Sequence, residues 1–428
     1  MLLLVALALQ DRWTFDGDAP CATLEGRVEY RESAVGGKAL VFNGVDTRLL
    51  LPRAYSTFGL WFFALDAGPM ELGGGVRLEP NGVVKAGALA SPPDSWYPGQ
   101  WTQVALAVDG LRVNGEIVAE GPCPAAEGPF VLGGSGKTAF RGLIDDLRFQ
   151  DLDLALGALP WYAPKPQRKT PFQGKFALED GEVVAFLGGE SLGELSALLE
   201  EQLALAFKGA RFRNLSWEGD TVFERRRDVN FGSVRRSLAR AGASVAIHQF
   251  GQMESLRGDV DAFRAAYDRL LEEVKSRTRR LVILSPSRFE TKPAPLPDAT
   301  ERNRRLSAYV DVCRALAAKH QALFVDVSGL ELETRDGAHP SEAGLRALAA
   351  AVRSAWGVEE RPVPTDLSRA IAEKNRLWFD YWRPMNWAFL EGDRNEQPFS
   401  RDPRDHKVRG LAIEMQDFLP LIRRVEDR

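Results

Sequence analysis

A chain of 428 residues exceeds what one hydrophobic core organises, since single cores stop growing at about 250 to 300 residues, so two or more domains are expected. Its 45% hydrophobic and 27% charged content, with a net charge of −4, is that of ordinary globular protein. The short basic clusters at 225–227 and 302–305 sit among acids as solvated faces, which argues against a nucleic-acid partner, and three cysteines are too few for a disulfide scaffold at this length.

Residues 1–10, MLLLVALALQ, form an apolar run of signal-peptide length, too short to span a bilayer, with Ala6 and Ala8 supplying a small-residue cleavage pattern. Export to the periplasm, cell surface or medium is the expectation, although no basic residue precedes the run. No other stretch has the length and apolarity of a transmembrane segment. In an oxidising compartment Cys21 and Cys123 either pair or serve as inert packing, while Cys313 falls in an apolar helical pattern as a buried thiol.

Residues 11–155 read as short alternating strands, at 39–42, 47–51, 58–63, 104–108, 111–113, 128–132 and 143–149, an all-β sandwich pattern. Asn43-Gly44, Asp109-Gly110 and Asn114-Gly115 are candidate type I′ turns, which need φ > 0 at both central residues. Four phrases in order, Gly37-Lys38-Ala39-Leu40-Val41-Phe42-Asn43-Gly44, Trp101-Thr102-Gln103-Val104-Ala105-Leu106, Val113-Asn114-Gly115 and Phe140 to Phe149, resemble a concanavalin-like or laminin-G-like jelly roll. That resemblance implies glycan binding, or simple packing beside a catalytic domain. Asp145 and Asp146 are either a calcium or edge site or a strand-end feature.

Residues 156–178, rich in Pro and Lys without periodicity, are expected to link two domains. Over 179–357 the pattern becomes α/β: strands at 183–187, 244–250, 281–284 and 322–327 alternate with helices at 192–207, 260–274 and 302–319. That order implies a parallel sheet covered on both faces, with its ligand site at the carboxyl ends of the strands. Residues 358–428 form a helical, Trp-rich extension, with helices near 367–382 and 410–425. In it Trp378, Trp382 and Trp387 either stack on sugars or pack against a neighbouring domain.

Three blocks carry chemistry. The strand at 183–187 runs through Gly188-Gly189-Glu190-Ser191-Leu192 into a helix, which sets Ser191 at a strand-to-helix turn where helix-start N–H groups face a developing oxyanion. An N-cap is the alternative role for this serine. Gly219, in Asn214-Leu215-Ser216-Trp217-Glu218-Gly219-Asp220-Thr221, has no Cβ to obstruct a substrate at its backbone, or is a plain turn glycine. In Asp336-Gly337-Ala338-His339-Pro340 a carboxylate three residues before an imidazole can hold Nδ1–H and leave Nε2 free as a base. His248, His320 and His406 have no such context, and no acid or histidine spacing reads as a metal site.

Together these blocks resemble the GDSL (SGNH) esterases, a flavodoxin-like α/β family. Gly189-Glu190-Ser191-Leu192 stands where the family has Gly-Asp-Ser-Leu. The resemblance implies metal-independent ester hydrolysis without a cofactor, with Ser191 as nucleophile, His339 as base, Asp336 orienting it, and the N–H groups of Ser191 and Gly219 in the oxyanion hole. Beside a lectin-like domain it implies an ester or acetylated-carbohydrate substrate, and the Trp-Arg-Pro tail resembles planctomycete architectures. The chain departs from the family at Gly251-Gln252-Met253-Glu254, where Met253 replaces the oxyanion asparagine and cannot donate a hydrogen bond, leaving Gln252 as the nearby amide. A shifted alignment puts Glu190 in the nucleophile position, which implies a catalytically impaired scaffold that binds a glycan or a surface.

Overall fold

The computed structural model describes residues 12–16, 22–150, 152 and 171–428. The signal-like run, Cys21 and most of the expected linker lie outside the described residues. The chain divides into two compact units, Met1–Tyr162 with Asn386–Leu421, and Ala163–Met385 with Ile422–Arg428. Residues 358–385 and 422–428 fall in the second unit and residues 386–421 in the first.

The first unit holds two antiparallel sheets. One runs in the spatial order Glu116–Glu120, Gly110–Val113, Trp101–Ala107, Phe58–Ala64, Arg141–Arg148, Lys38–Asn43, Tyr30–Glu32, with Arg12–Trp13 pairing Arg141–Arg148. The other runs Leu89–Ala90, Val84–Ala86, Val76–Leu78, Met70–Gly73, Phe130–Leu132, Arg48–Leu51, Thr23–Glu25. Every expected strand is present, and their apolar side chains, among them Trp13, Phe42, Phe62, Trp96 and Phe140, form one core. Of the three candidate turns, Asn114 (φ 52°) and Gly115 (φ 78°) make the two-residue hairpin that needs both positive φ values. Asn43-Gly44 instead turns a corner between the sheets: Asn43 Oδ1 accepts from the N–H groups of Val45, Asp46 and Thr47, and a Cβ on Gly44 would meet Arg141 Cγ at 1.9 Å.

Asp145 and Asp146 are buried at a register shift in Arg141–Arg148. Asp145 accepts from Ser33 Oγ at 2.5 Å, and Asp146 is held by Arg12 at 2.6 Å and Arg148 at 2.7 Å. Both carboxylates are thus bound by side chains of the unit itself. The Cys123 thiol donates to Ala107 O at 2.7 Å.

The second unit is built on five parallel strands: β1 (Val183–Gly188), β2 (Arg211–Asn214), β3 (Val245–Gln249), β4 (Arg280–Leu284) and β5 (Leu323–Val325), in the spatial order β2-β1-β3-β4-β5. Its helices of eight residues or more within 163–385 are α1 (Glu190–Ala206), α2 (Val234–Ala241), α3 (Val260–Lys275), α4 (Thr300–His320), α5 (Glu342–Trp356) and α6 (Thr365–Trp382). Side chains alternate along a strand, so Val184, Phe186, Val245, Ile247, Val282 and Leu284 share one face, where they pack with Leu195, Leu199, Leu348 and Val352 of α1 and α5. His248 of the opposite face lies against Tyr267 of α3. Both faces are covered, which is why β1 and β3 are buried along their whole length.

Helix α6 closes the unit at the β2 edge through a buried ion pair, Lys374 Nζ to Glu200 Oε1 of α1 at 2.7 Å. Trp378 and Trp382 are buried and stacked, ring centroids 5.1 Å apart, and Trp378 Nε1 donates to Asn214 O at 2.9 Å. These two rings are packing elements, not a sugar platform. Among the described residues no helix is long and apolar enough to cross a membrane.

Candidate active site

Four loops leave the carboxyl ends of β1, β2, β3 and β4 and meet the segment before α5 around a cavity of about 310 Å³. Because β1 lies between β2 and β3, the chain leaves it in opposite directions on either side, the place where a parallel sheet opens a crevice. Ser191, Gly219, Gln252 and His339 all line this cavity, and so do Glu190, Asp220 and Met253.

At the end of β1, Gly188 passes so close to β3 that a Cβ would meet Gln249 O at 2.8 Å. Gly189 is the N-cap of α1 and offers no side-chain acceptor. The first-turn N–H groups, which have no intrahelical partner, are left open to the cavity rim. Ser191 is the second residue of this turn, not its cap, and its hydroxyl makes no hydrogen bond among the described residues. Glu190 is the first. Its Oε1 accepts from Arg335 at 2.9 Å, and its Oε2 stands 3.5 Å from His339 Nε2.

His339 is oriented from its own loop. Asp336 Oδ2 lies 2.7 Å from His339 Nδ1, while its Oδ1 accepts the N–H groups of Ala338 at 3.0 Å and His339 at 2.8 Å. Slight burial works against ionisation, but these hydrogen bonds win and hold the Asp336 carboxyl well below the usual carboxylate range. Gly337, at φ 90°, allows the tight turn, and its N–H donates to Thr334 Oγ1 at 2.8 Å. Thr334 in turn donates through N–H and hydroxyl to Glu290 Oε2 at 2.7 and 2.6 Å. The imidazole is thereby fixed with Nε2 toward the cavity.

Gly219 sits at φ 80° with nothing within 4 Å of the place a Cβ would take, and its N–H has no partner among the described residues. The loop that carries it is pinned by Glu254: Oε1 accepts Val222 N–H at 2.9 Å and Oε2 accepts Gly251 N–H at 2.7 Å. Burial raises the Glu254 carboxyl above its ordinary value, against the pull of those N–H groups.

Gln252 does not serve as the expected oxyanion amide. Its Nε2 donates to Ser287 O at 3.0 Å and Ala338 O at 3.2 Å, so both amide hydrogens are taken in tying the β3 and β4 loops to the His339 loop. Met253 packs toward Phe289, Ala299 and Leu306. The remaining histidines stay outside the site: His248 is wholly buried in β3, pushed down to about 3 by burial and then by the charges of Arg225 and His320, and His320 bonds Asp268 at 2.6 Å. Among the described residues no group of three or more His, Cys, Asp or Glu side chains is placed to hold a metal ion.

Four contributors are not assigned by the sequence motifs. Glu254 stands at the acidic position of Gly-x-Asn-Asp/Glu, which is a usable signal, and Asp220 directly follows Gly219. Arg335 and Glu290 carry no motif and are recognised from their partners alone.

Residues 185–347 match the model of the GDSL-like lipase/acylhydrolase family. The α/β unit contains a GDSL-like lipase/acylhydrolase domain. The family is described as one of lipases and acylhydrolases, which supports an esterase as the enzyme class. Among solved structures, a catalytic mutant of the acetylxylan esterase Axe2 from Geobacillus stearothermophilus is similar at 19% identity and TM-score 0.35, over 43% of this chain and 99% of that one. LAE5, an α/β hydrolase from the Lake Arreo metagenome, is similar at 20% identity and TM-score 0.34, over 43% and 99%. No curated protein matches the chain.

Proposed function

We propose that the protein is a secreted serine ester hydrolase. Ser191 attacks the carbonyl carbon, His339 takes the hydroxyl proton and returns it to the leaving alkoxide, and water reverses the sequence to release the acid. Asp336 holds the imidazole, and the N–H groups of Ser191 and Gly219 receive the oxyanion. The observation that carries this reading is the Asp336–His339 contact of 2.7 Å, with Nε2 turned to a cavity that Ser191 and Gly219 line. The strand order supports the flavodoxin-like description, and the two antiparallel sheets support the jelly-roll one. An acetylated polysaccharide is the substrate class proposed. A cleft of about 510 Å³ in the β-sandwich, with Arg48, Tyr55, Glu71 and Arg77 among its walls, supports a glycan site there.

One observation favours a second reading. The Glu190 carboxylate stands 3.5 Å from His339 Nε2, as the shifted alignment has it, and a carboxylate in that place suits a scaffold that binds its ligand without turnover. Hydrolysis of short-chain aryl esters and acetylated sugars by the purified protein, beside Ser191→Ala, Glu190→Gln and His339→Ala, separates the two. Loss in Ser191→Ala and His339→Ala establishes the enzyme; a wild type that hydrolyses nothing in the panel leaves the scaffold.

A further inference from the structure

Nucleophilic attack on an ester carbonyl breaks its π bond and leaves a full negative charge on oxygen, and neither Gln252 nor Met253 offers that charge a side-chain donor. Met253 has none to give, and the Gln252 amide is spent on Ser287 O and Ala338 O. We propose that Asp220 supplies the missing donor, its carboxyl O–H holding the oxyanion beside the N–H of Gly219. The inference rests on the ester-hydrolase reading.

Asp220 lines the cavity directly after Gly219, on the loop that Glu254 pins. Its backbone carbonyl lies 3.6 Å from the position a Cβ would take on Gly189, so loop and helix start are in close approach. The residue is 8% exposed. Its Oδ1 accepts from Arg226 N–H at 2.8 Å, while Oδ2 has no hydrogen-bond partner among the described residues. Burial pushes this carboxyl up to about 7, against the Arg226 N–H and the charge of Arg225.

The other charged groups around it are partly spent on one another. Arg225 pairs with Asp228 at 2.5 Å and Arg383 with Glu218 at 2.6 Å; Asp228 pushes the carboxyl up and Arg383 pulls it down. Glu190, His339 and Glu254 line the same cavity. A carboxylic acid kept neutral by an apolar setting can donate a hydrogen bond at neutral pH. In the step itself the Asp220 proton stays on its carboxyl as a hydrogen-bond donor: the nucleophile-to-carbon bond forms, charge collects on the carbonyl oxygen, and its return expels the alkoxide that His339 protonates.

The test compares Asp220→Ala and Asp220→Asn with wild type on an aryl acetate across pH, alongside the carboxyl titration followed by carbon NMR with Asp220→Asn as the assignment. Asparagine keeps the acceptor for Arg226 N–H and carries a donor at every pH. Asp220→Ala is expected to lose about 100- to 1,000-fold in kcat with little change in KM, the range for one oxyanion donor. Wild-type kcat is expected to fall as pH rises through about 7, where Asp220 loses its proton, with that limb absent from Asp220→Asn. An active wild type with Asp220→Ala within about threefold of it, an alkaline limb that persists in Asp220→Asn, or an Asp220 carboxyl titrating in the ordinary carboxylate range overturns this proposal alone. A wild type with no ester hydrolysis overturns the ester-hydrolase reading and this proposal with it.

Discussion

His339 Nε2 stands 3.5 Å from Glu190 Oε2, and the same carboxylate is fixed through Oε1 by Arg335, which also grips Glu194 at 2.9 Å. The face of the imidazole that a nucleophile has to meet is therefore occupied by an ionisable neighbour of Ser191. Ser191 passes its proton to His339 only where its hydroxyl, rather than the Glu190 carboxylate, meets Nε2.

Glu190→Gln tests that requirement. The amide keeps the shape and a contact with Arg335 but removes the charge facing His339. With Ser191 as nucleophile, hydrolysis in Glu190→Gln is expected to equal or exceed wild type, whereas Ser191→Ala falls by about 10,000-fold or more. Initial rates on one aryl ester decide it. A collapse in Glu190→Gln with Ser191→Ala unaffected would assign the reacting position to the carboxylate.

Asp336 is expected to act through the tautomer of His339. Asp336→Asn keeps the acceptors for the Ala338 and His339 N–H groups on Oδ1 but presents an amide donor to Nδ1, and kcat is expected to fall by about 10,000-fold. Stability carries a second signature. A carboxyl held low in the fold stabilises it above the unfolded value near pH 3.9 and loses that contribution as pH falls toward the folded value. Denaturant titrations are expected to show a steeper loss of stability below about pH 4 in wild type than in Asp336→Asn.

Glu254 is the brace of the oxyanion loop. Its two oxygens each take one backbone N–H, from Val222 and Gly251, at a site only 2% exposed. Glu254→Ala strands two buried donors at about 1 to 3 kcal/mol each, and a loss of about 2 to 6 kcal/mol in chemical denaturation is expected. Glu254→Gln keeps one acceptor and is expected to lose less than half as much. Equal stability of Glu254→Ala and wild type would mean that water replaces both contacts.

How far the sequence speaks for this architecture depends on how local each signal is. β1, Val-Val-Ala-Phe-Leu-Gly, is legible as an unbroken buried run, and Asp336 with His339 is legible because both partners lie in one short loop. β2 is not legible, because Arg-Phe-Arg-Asn has the look of a solvated segment. Arg213 is buried there with its guanidinium bonded to Glu426, 213 residues later, at 2.5 Å and set over the Trp378 ring. Neighbouring residues at a helix start point about 100° apart, so a one-residue ambiguity at Glu190-Ser191 changes which side chain meets His339, and nothing local resolves it. The engagement of the Gln252 amide with two loops is equally a tertiary fact.

The buried Glu200–Lys374 pair that fastens α6 makes the last prediction. Lys374 Nζ also meets Phe212 O at 3.1 Å and Asn375 Oδ1 at 2.7 Å, and burial raises the carboxyl of Glu200 and lowers the ammonium of Lys374. Removing one partner leaves an uncompensated group in the interior, so Lys374→Met is expected to cost about 3 to 5 kcal/mol at neutral pH. The surviving carboxyl, raised in the fold, contributes its stability in the protonated form, present below the unfolded value near 4.3 and lost as pH rises through the folded value. The deficit of Lys374→Met is therefore expected to shrink toward pH 4, and Glu200→Leu with Lys374→Met, which leaves no charge behind, to return to within about 1 kcal/mol of wild type or above it. Denaturant unfolding of the three proteins at two pH values reads this directly. A double variant no better than Lys374→Met would show that the contacts to Phe212 and Asn375, rather than the charge pair, fasten the helix.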